Sequence, residues 1–247
     1  MKLALLTDIH GNREAFEACM EQAHLHGAEK VALLGDFVGY GADPSWVVDH
    51  VRELVEAGAI AIKGNHDEGV VRGANPGMVE DARRVVEWTQ GQLSPTQIDF
   101  LARLPYTFEQ HGCLFVHANA FAPQDWEYVT NRTEAVRSMQ ATSARYTFAG
   151  HVHEPRLYHL SGTGKISEFT PTPGVAVPVP THRQWFALPG SVGQPRDGNP
   201  AACWALFDLA RATLTYHRVP YDHEATAAKI IAAGLPARFG ERLKEGT

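Results

Sequence analysis

Asp8-Ile9-His10, Gly35-Asp36, Gly64-Asn65-His66-Asp67, Val116-His117 and Gly150-His151-Val152-His153 are five short segments in which carboxylate, imidazole and amide side chains gather at the end of an apolar run. Such oxygen and nitrogen donors suit a pair of hard or borderline divalent cations. Two such cations side by side can hydrolyse phosphoesters, and that chemistry leads the reading. In extended chain, residues i and i+2 share a face. Asp8 and His10 are then expected to reach one site while Ile9 turns into the core, and His151 and His153 to do the same around Val152. Glycines before Asp36, Asn65 and His151 let the chain bend as it leaves each strand. Each piece alone is a common turn or a buried imidazole; the ordered set carries the argument.

The elements that must position these residues follow from hydrophobic patterning. Residues 3–6, 31–34 and 59–62 are compact apolar runs, as buried strands require. Between them, residues 14–25 place Phe16, Met20 and Ala23 on one helical face. Asp43-Pro44 opens a second helix running to about residue 56, with Asp43 at the N-cap. This alternation predicts a parallel sheet with right-handed crossovers, whose carboxyl edge is where open α/β sheets place their sites. Residues 78–104 read as helix broken at Ser94-Pro95, with Ser94 capping the second part. Beyond Pro105 the pattern becomes strand-rich. Strands are predicted at 106–108, 114–116, 147–149, 156–160, 166–169, 184–188, 203–208 and 213–219, with a helix near 133–140. Residues 170–182 are rich in proline and read as an exposed loop or hairpin excursion; 222–233 read as a C-terminal helix.

With 247 residues and 44% apolar content, the expectation is one α/β domain over residues 1–247 that needs no disulfide or structural metal to hold its core. Cys19, Cys113 and Cys203 form no C-x-x-C pair and read as buried free thiols of a reducing cytosol. The apolar stretch at 3–6 is too short for a signal peptide, and no run approaches the ~20 residues of a membrane span. A soluble cytoplasmic protein with no membrane partner is expected. The net charge of −6 speaks against nucleic acid as a general partner but permits a small anion at a locally positive site. Nothing in the pattern sets an oligomeric state.

In the order D-x-H, G-D, G-N-H-[DE], a lone His and G-H-x-H, these segments resemble the calcineurin-like metallophosphoesterases, nearest to their bacterial phosphodiesterase-type branch. The likeness covers residues 2–153, and more loosely the rest. It implies two mixed β-sheets packed as a sandwich and flanked by α-helices in four αββα layers. It also implies two divalent metal ions (Mn, Fe or Zn). By the resemblance, Asp8, His10 and His153 would hold the first metal, Asn65, His117 and His151 the second, and Asp36 would bridge them. His66 would be the catalytic histidine that binds no metal. The implied substrate is a small phosphorylated molecule, a phosphodiester or nucleotide, hydrolysed by in-line attack of metal-bound hydroxide. His66 would stabilise developing charge or protonate the leaving oxygen.

The stretch Gly35-Asp36-Phe37-Val38-Gly39-Tyr40-Gly41 departs from that pattern. Related protein phosphatases carry a phosphate-clamping Arg where Tyr40 stands and a His-orienting Asp where Gly39 stands, so a protein or monoester phosphatase becomes the weaker alternative. Phe37 and Tyr40 are candidates for stacking a base or for packing the loop. Asp67 reads as an orienting group or a cap, and Asn12 as a helix N-cap. Arg196, in the loop Gly190 to Gly198, reads first as a brace paired with Asp197 or Asp208, and second as a phosphate contact. His24, His26, His50, His159 and His223 read as surface or structural, and Arg83-Arg84 as a solvated helix face. Two other classes compete: a non-catalytic scaffold of the same fold that binds partners, and a mononuclear metallohydrolase acting on amides or lactones.

Overall fold

The computed structural model describes residues 1–74 and 78–247. In strand β1 (Lys2–Leu6), Leu3 and Leu5 project to one face and Ala4 and Leu6 to the other, and all four are buried. A strand apolar on both faces must lie between covering layers. β1 pairs in parallel with β2 (Lys30–Leu33), and β2 in parallel with β3 (Ile60–Ala61). On its other side β1 runs antiparallel to β11 (Ala202–Asp208), which continues through β12 (Thr213–Val219) to β9 (Ala176–Pro178). The second sheet has the order β4 (Thr107–Gln110), β5 (Cys113–Val116), β6 (Tyr146–Phe148), β10 (Gln184–Pro189), β7 (Pro155–Leu160) and β8 (Ile166–Phe169). Within it β5, β6 and β10 are parallel and the outer pairings antiparallel.

The two mixed sheets face each other through Leu3, Leu5, Phe207 and Tyr216 on one side and Phe115, Phe148 and Trp185 on the other. Burying each such side chain contributes about 1.5–3 kcal/mol. Ala4 and Leu6 pack outward on Phe16 of α1 (Arg13–Leu25) and Val47 and Val51 of α2 (Pro44–Glu56). Tyr158, Phe186 and Leu188 pack outward on Ala135 and Met139 of α6 (Arg132–Gln140). The result is the expected αββα sandwich. Cys19, Cys113 and Cys203 are buried and free. Among the described residues no helix is long and apolar enough to cross a membrane.

Several local expectations change. Asn65 to Asp67 do not continue a strand exit; they open a helix, α3 (Asn65–Arg72), because Asp67 at its third position accepts the Gly64 amide at 2.9 Å. The break expected at Ser94-Pro95 is present, separating α4 (Glu80–Gln92) from α5 (Pro95–Arg103), and Ser94 caps the second helix in a capping box with Gln97. Asn12 caps α1, but Asp43 makes no cap hydrogen bond; its carboxylate takes Lys229 Nζ at 2.8 Å instead. The proline-rich excursion contributes β9, an edge strand, the position in a sheet that tolerates proline. After α7 (His223–Ala232) comes an unanticipated helix, α8 (Arg238–Glu245).

Candidate metal centre

The parallel strands β1, β2, β5 and β6 deliver Asp8, Asp36, His117 and His151 just beyond their carboxyl ends, so both sheets feed one site. Asp8, His10, Asp36 and His153 are all buried and bring ligand atoms within 4.8 Å of one another; Asp36, His117 and His151 form a second such group. Asp36 belongs to both. Asn65 Oδ1 adds to the second group, 3.0 Å from His117 Nε2. His66 belongs to neither group.

The convergence is not produced by strand pleating, as the i, i+2 spacing suggested. Asp8, His10, Asp36, His151 and His153 all take positive φ (54, 52, 55, 70 and 64°). Positive φ is uncommon outside glycine and costs of order 1 kcal/mol or more each. β1 has ended at Leu6, and the ligand pairs sit on tight left-handed kinks instead. The glycine reading holds at Gly35, whose φ is +90°, and changes at Gly64. Gly64 has φ −101°, and its role is proximity: a Cβ there would collide with the Asp36 carboxylate and backbone amide.

Backbone carbonyls fix each imidazole. His10 Nδ1 lies 3.0 Å from Val38 O, His117 Nδ1 2.7 Å from Leu34 O, and His153 Nδ1 2.6 Å from Gln194 O. His151 reverses the pattern, with Nε2 2.9 Å from Trp126 O. A carbonyl only accepts, so the nitrogen facing it carries the hydrogen and the other turns a lone pair inward. The inward Nε2 atoms of His10 and His153 are 3.1 Å apart, with Asp8 Oδ1 3.3 Å from the second. Two buried lone pairs at that separation, beside a carboxylate, repel unless a cation lies among them. That contact shows that the residues fit a metal.

The electrostatics agree. Burial alone would lift Asp8 and Asp36, but His153 beside Asp8 and His117 beside Asp36 outweigh it and hold both carboxyls below the ordinary range. Burial pushes His10 well down and His151 down to about 4, leaving neutral imidazoles whose lone pairs could bind a cation. His117 is the exception: burial lowers it, but Asp36, 3.3 Å from its Nε2, prevails and raises it to about 9, so a cation must displace the Nε2 proton to bind there.

Asp67 does more than cap. Its carboxylate is fully buried and accepts the amides of Asp36 and Phe37 at 2.9 Å, Val38 at 3.3 Å and Gly64 at 2.9 Å, tying two ligand loops together. Burial and the Asp36 charge push it up to about 7 against the pull of those amides. Asn12 Nδ2 donates to Gly193 O at 2.9 Å, securing the 190s loop. Tyr40 packs on His10 and His66, with ring centroids 4.7 and 4.6 Å apart, while Phe37 is core. Arg196 is not the expected brace. Asp197 pairs with Arg218 and Asp208 with Arg211. Sequence reading missed Trp126, Gln194 and Tyr128. The first two act through carbonyls that any residue type supplies, and Tyr128 stacks on His151 at 4.0 Å with no motif around it.

Comparison with known proteins gives a consistent result. The calcineurin-like phosphoesterase superfamily domain matches residues 1–212. An uncharacterized protein of Methanocaldococcus jannaschii is 31% identical over 98% of this chain and 96% of its own length. The crystal structure of a metallophosphoesterase from Sphaerobacter thermophilus superposes with a TM-score of 0.89 at 31% identity, covering 100% of this chain and 99% of that one. A hypothetical protein of Pyrococcus horikoshii shares the fold at a TM-score of 0.79 and 20% identity, covering 100% and 98%.

Proposed function

The chain belongs to the calcineurin-like phosphoesterase superfamily, whose chemistry is hydrolysis of phosphoester bonds, and from that premise we propose a dinuclear metal-dependent phosphoesterase acting on phosphodiester or nucleotide substrates. Asp8, His10 and His153 would hold one cation, Asn65, His117 and His151 the other, and Asp36 both. The observation that carries this is Asp36, a member of both ligand clusters, together with the facing lone pairs of His10 and His153. Mn, Fe or Zn all accept this mixture of donors. Two such cations, when bound, supply positive charge for a phosphoryl group and lower the pKa of a coordinated water toward about 7.

The protein's own part is positioning and hydrogen bonding. Asp8 and Asp36 return two negative charges against four, so the cage stays attractive to phosphate. The His66 backbone amide donates to Asp36 Oδ1 at 2.8 Å, but among the described residues its ring donates to no carbonyl or carboxylate and is held by packing on His10 and Tyr40. Its Nδ1 abuts Gly39, which leaves Nε2 for the substrate. Burial holds the ring below its ordinary pKa, so it is neutral near pH 7 and would donate a hydrogen bond to charge developing on the phosphoryl or leaving oxygen rather than give up a proton.

The test is hydrolysis of bis(p-nitrophenyl) phosphate with added manganese. Asp36→Ala should lose roughly 1,000-fold, the scale of several kcal/mol of charge stabilisation. His66→Ala should lose about 100-fold or more with bound metal retained. Equal rates for wild type and both variants refute the proposal.

A further inference from the structure

Arg196 stands at the rim of this centre with its charge unanswered. Its neighbour Asp197 pairs with Arg218, and among the described residues no carboxylate lies within ion-pair distance of Arg196. One terminal nitrogen donates to Gln194 Oε1 at 2.9 Å, while the buried Nε has no partner. The guanidinium carbon is 5.9 Å from the centre of the Tyr40 ring, and that ring packs on both His10 and His66. The backbone is held just as closely, with Arg196 N donating to His153 O at 3.2 Å. A guanidinium beside a cage built for cations is repelled by them, and a buried donor left unpaired is destabilising. Both costs vanish when an anion with several oxygens sits between. Arg is also the side chain whose planar fork matches phosphate oxygens.

We propose that Arg196, braced by Gln194 and laid against Tyr40, is a phosphate-binding residue that selects, within the phosphodiester and nucleotide class proposed above, nucleotides carrying a further phosphate over simple diesters. The proposal rests on the phosphoesterase reading and names its substrate class. A diester presents one negative charge, which the cage itself satisfies. A terminal or second phosphate presents two or more, and Arg196 is the group placed to meet the excess.

The experiment measures binding of inorganic phosphate to the manganese-loaded protein by calorimetry, with metal content determined on the same samples. Arg196→Met should keep wild-type metal content and weaken phosphate binding about 10- to 100-fold, the scale of a charged hydrogen bond lost. In parallel, KM for p-nitrophenyl phosphate, which presents a terminal phosphate dianion, should rise by a similar factor, while KM for bis(p-nitrophenyl) phosphate stays within about twofold. Phosphate affinity unchanged in the variant, or no phosphate binding by wild type, overturns the proposal. So does an equal rise in KM for both esters, which marks a merely structural role. Should Arg196→Met lose metal, Arg196→Lys decides, since it keeps charge without the fork. Phosphate affinity at least threefold weaker with metal retained supports the assignment, and unchanged affinity or lost metal overturns it. Wild type that binds phosphate but cleaves neither ester would sink the phosphoesterase reading and leave the binding comparison intact.

Discussion

Gly39 leaves no space for a side chain beside His66. It has φ +91°, and a Cβ there would overlap His66 Nδ1 and lie 3.0 Å from Cγ. Gly39→Ala is therefore expected to displace the ring and lower kcat about tenfold or more at unchanged metal content; normal turnover in a metal-replete variant would contradict this. The same contact explains why no Asp orients His66 from that position. At this scale the residue types were legible, because five ligand-bearing segments each follow an apolar run. Their backbone was not. Nothing in Asp8-Ile9-His10 announces two left-handed residues in place of a pleat, since Asp and His pay less than most side chains for positive φ and carry no glycine mark. The carbonyls of Leu34, Val38, Trp126 and Gln194, which set the tautomers of His117, His10, His151 and His153, are invisible to side-chain reading altogether.

Between elements, Asp67 is the tie. Its carboxylate joins the first turn of α3 to the loop after β2 through four amides. Asp67→Ala strands those buried donors and should destabilise the protein by about 2–4 kcal/mol, measured by urea unfolding. A loss below about 1 kcal/mol would show the amides find other partners. A second tie lies on the outer face of the first sheet. His217 of β12 stacks on Trp204 of β11 at 4.4 Å and packs on His26 beyond α1 at 4.3 Å. Burial, and then the charge of His26, push His217 down from 6.5 to about 4. Between those values the unfolded chain binds the proton and the folded one does not. The stability contributed by the neutral ring is thus complete above pH 6.5 and lost as pH falls toward about 4. The advantage of wild type over His217→Gln, read as Tm, should shrink across that window; a constant gap would contradict it. The sequence carried the signal for α3, an Asp at the third helical position, but the motif drew the eye to ligands rather than to the cap. The helix α8 was missed because its apolar residues, Phe239 and Leu243, are few among charges.

Across the whole molecule, the strand–helix rhythm of the first third foretold β1, β2 and β3 in parallel. The order β3-β2-β1-β11-β12-β9 was not legible, because β1 and β11 are some 200 residues apart and local periodicity holds no record of such pairing. Yet that pairing, with the facing second sheet, is what brings His153 and Gln194 to Asp8. The assembled cage buries acceptors around a shared point, so cation binding should stabilise the entire fold. Chelator-stripped protein is expected to melt about 5–10 °C lower than protein with manganese at 100 times its Kd, by linkage. Coincident melting curves would mean that the cage holds no cation. The sharpest measurement is titration of stripped protein with Mn²⁺, followed by electron paramagnetic resonance of the loaded sample. With Asp36 shared, the protein should take up two ions per chain and show exchange-coupled spectra, and Asp36→Ala should abolish the coupling. One ion per chain with an isolated-ion spectrum would contradict the dinuclear account.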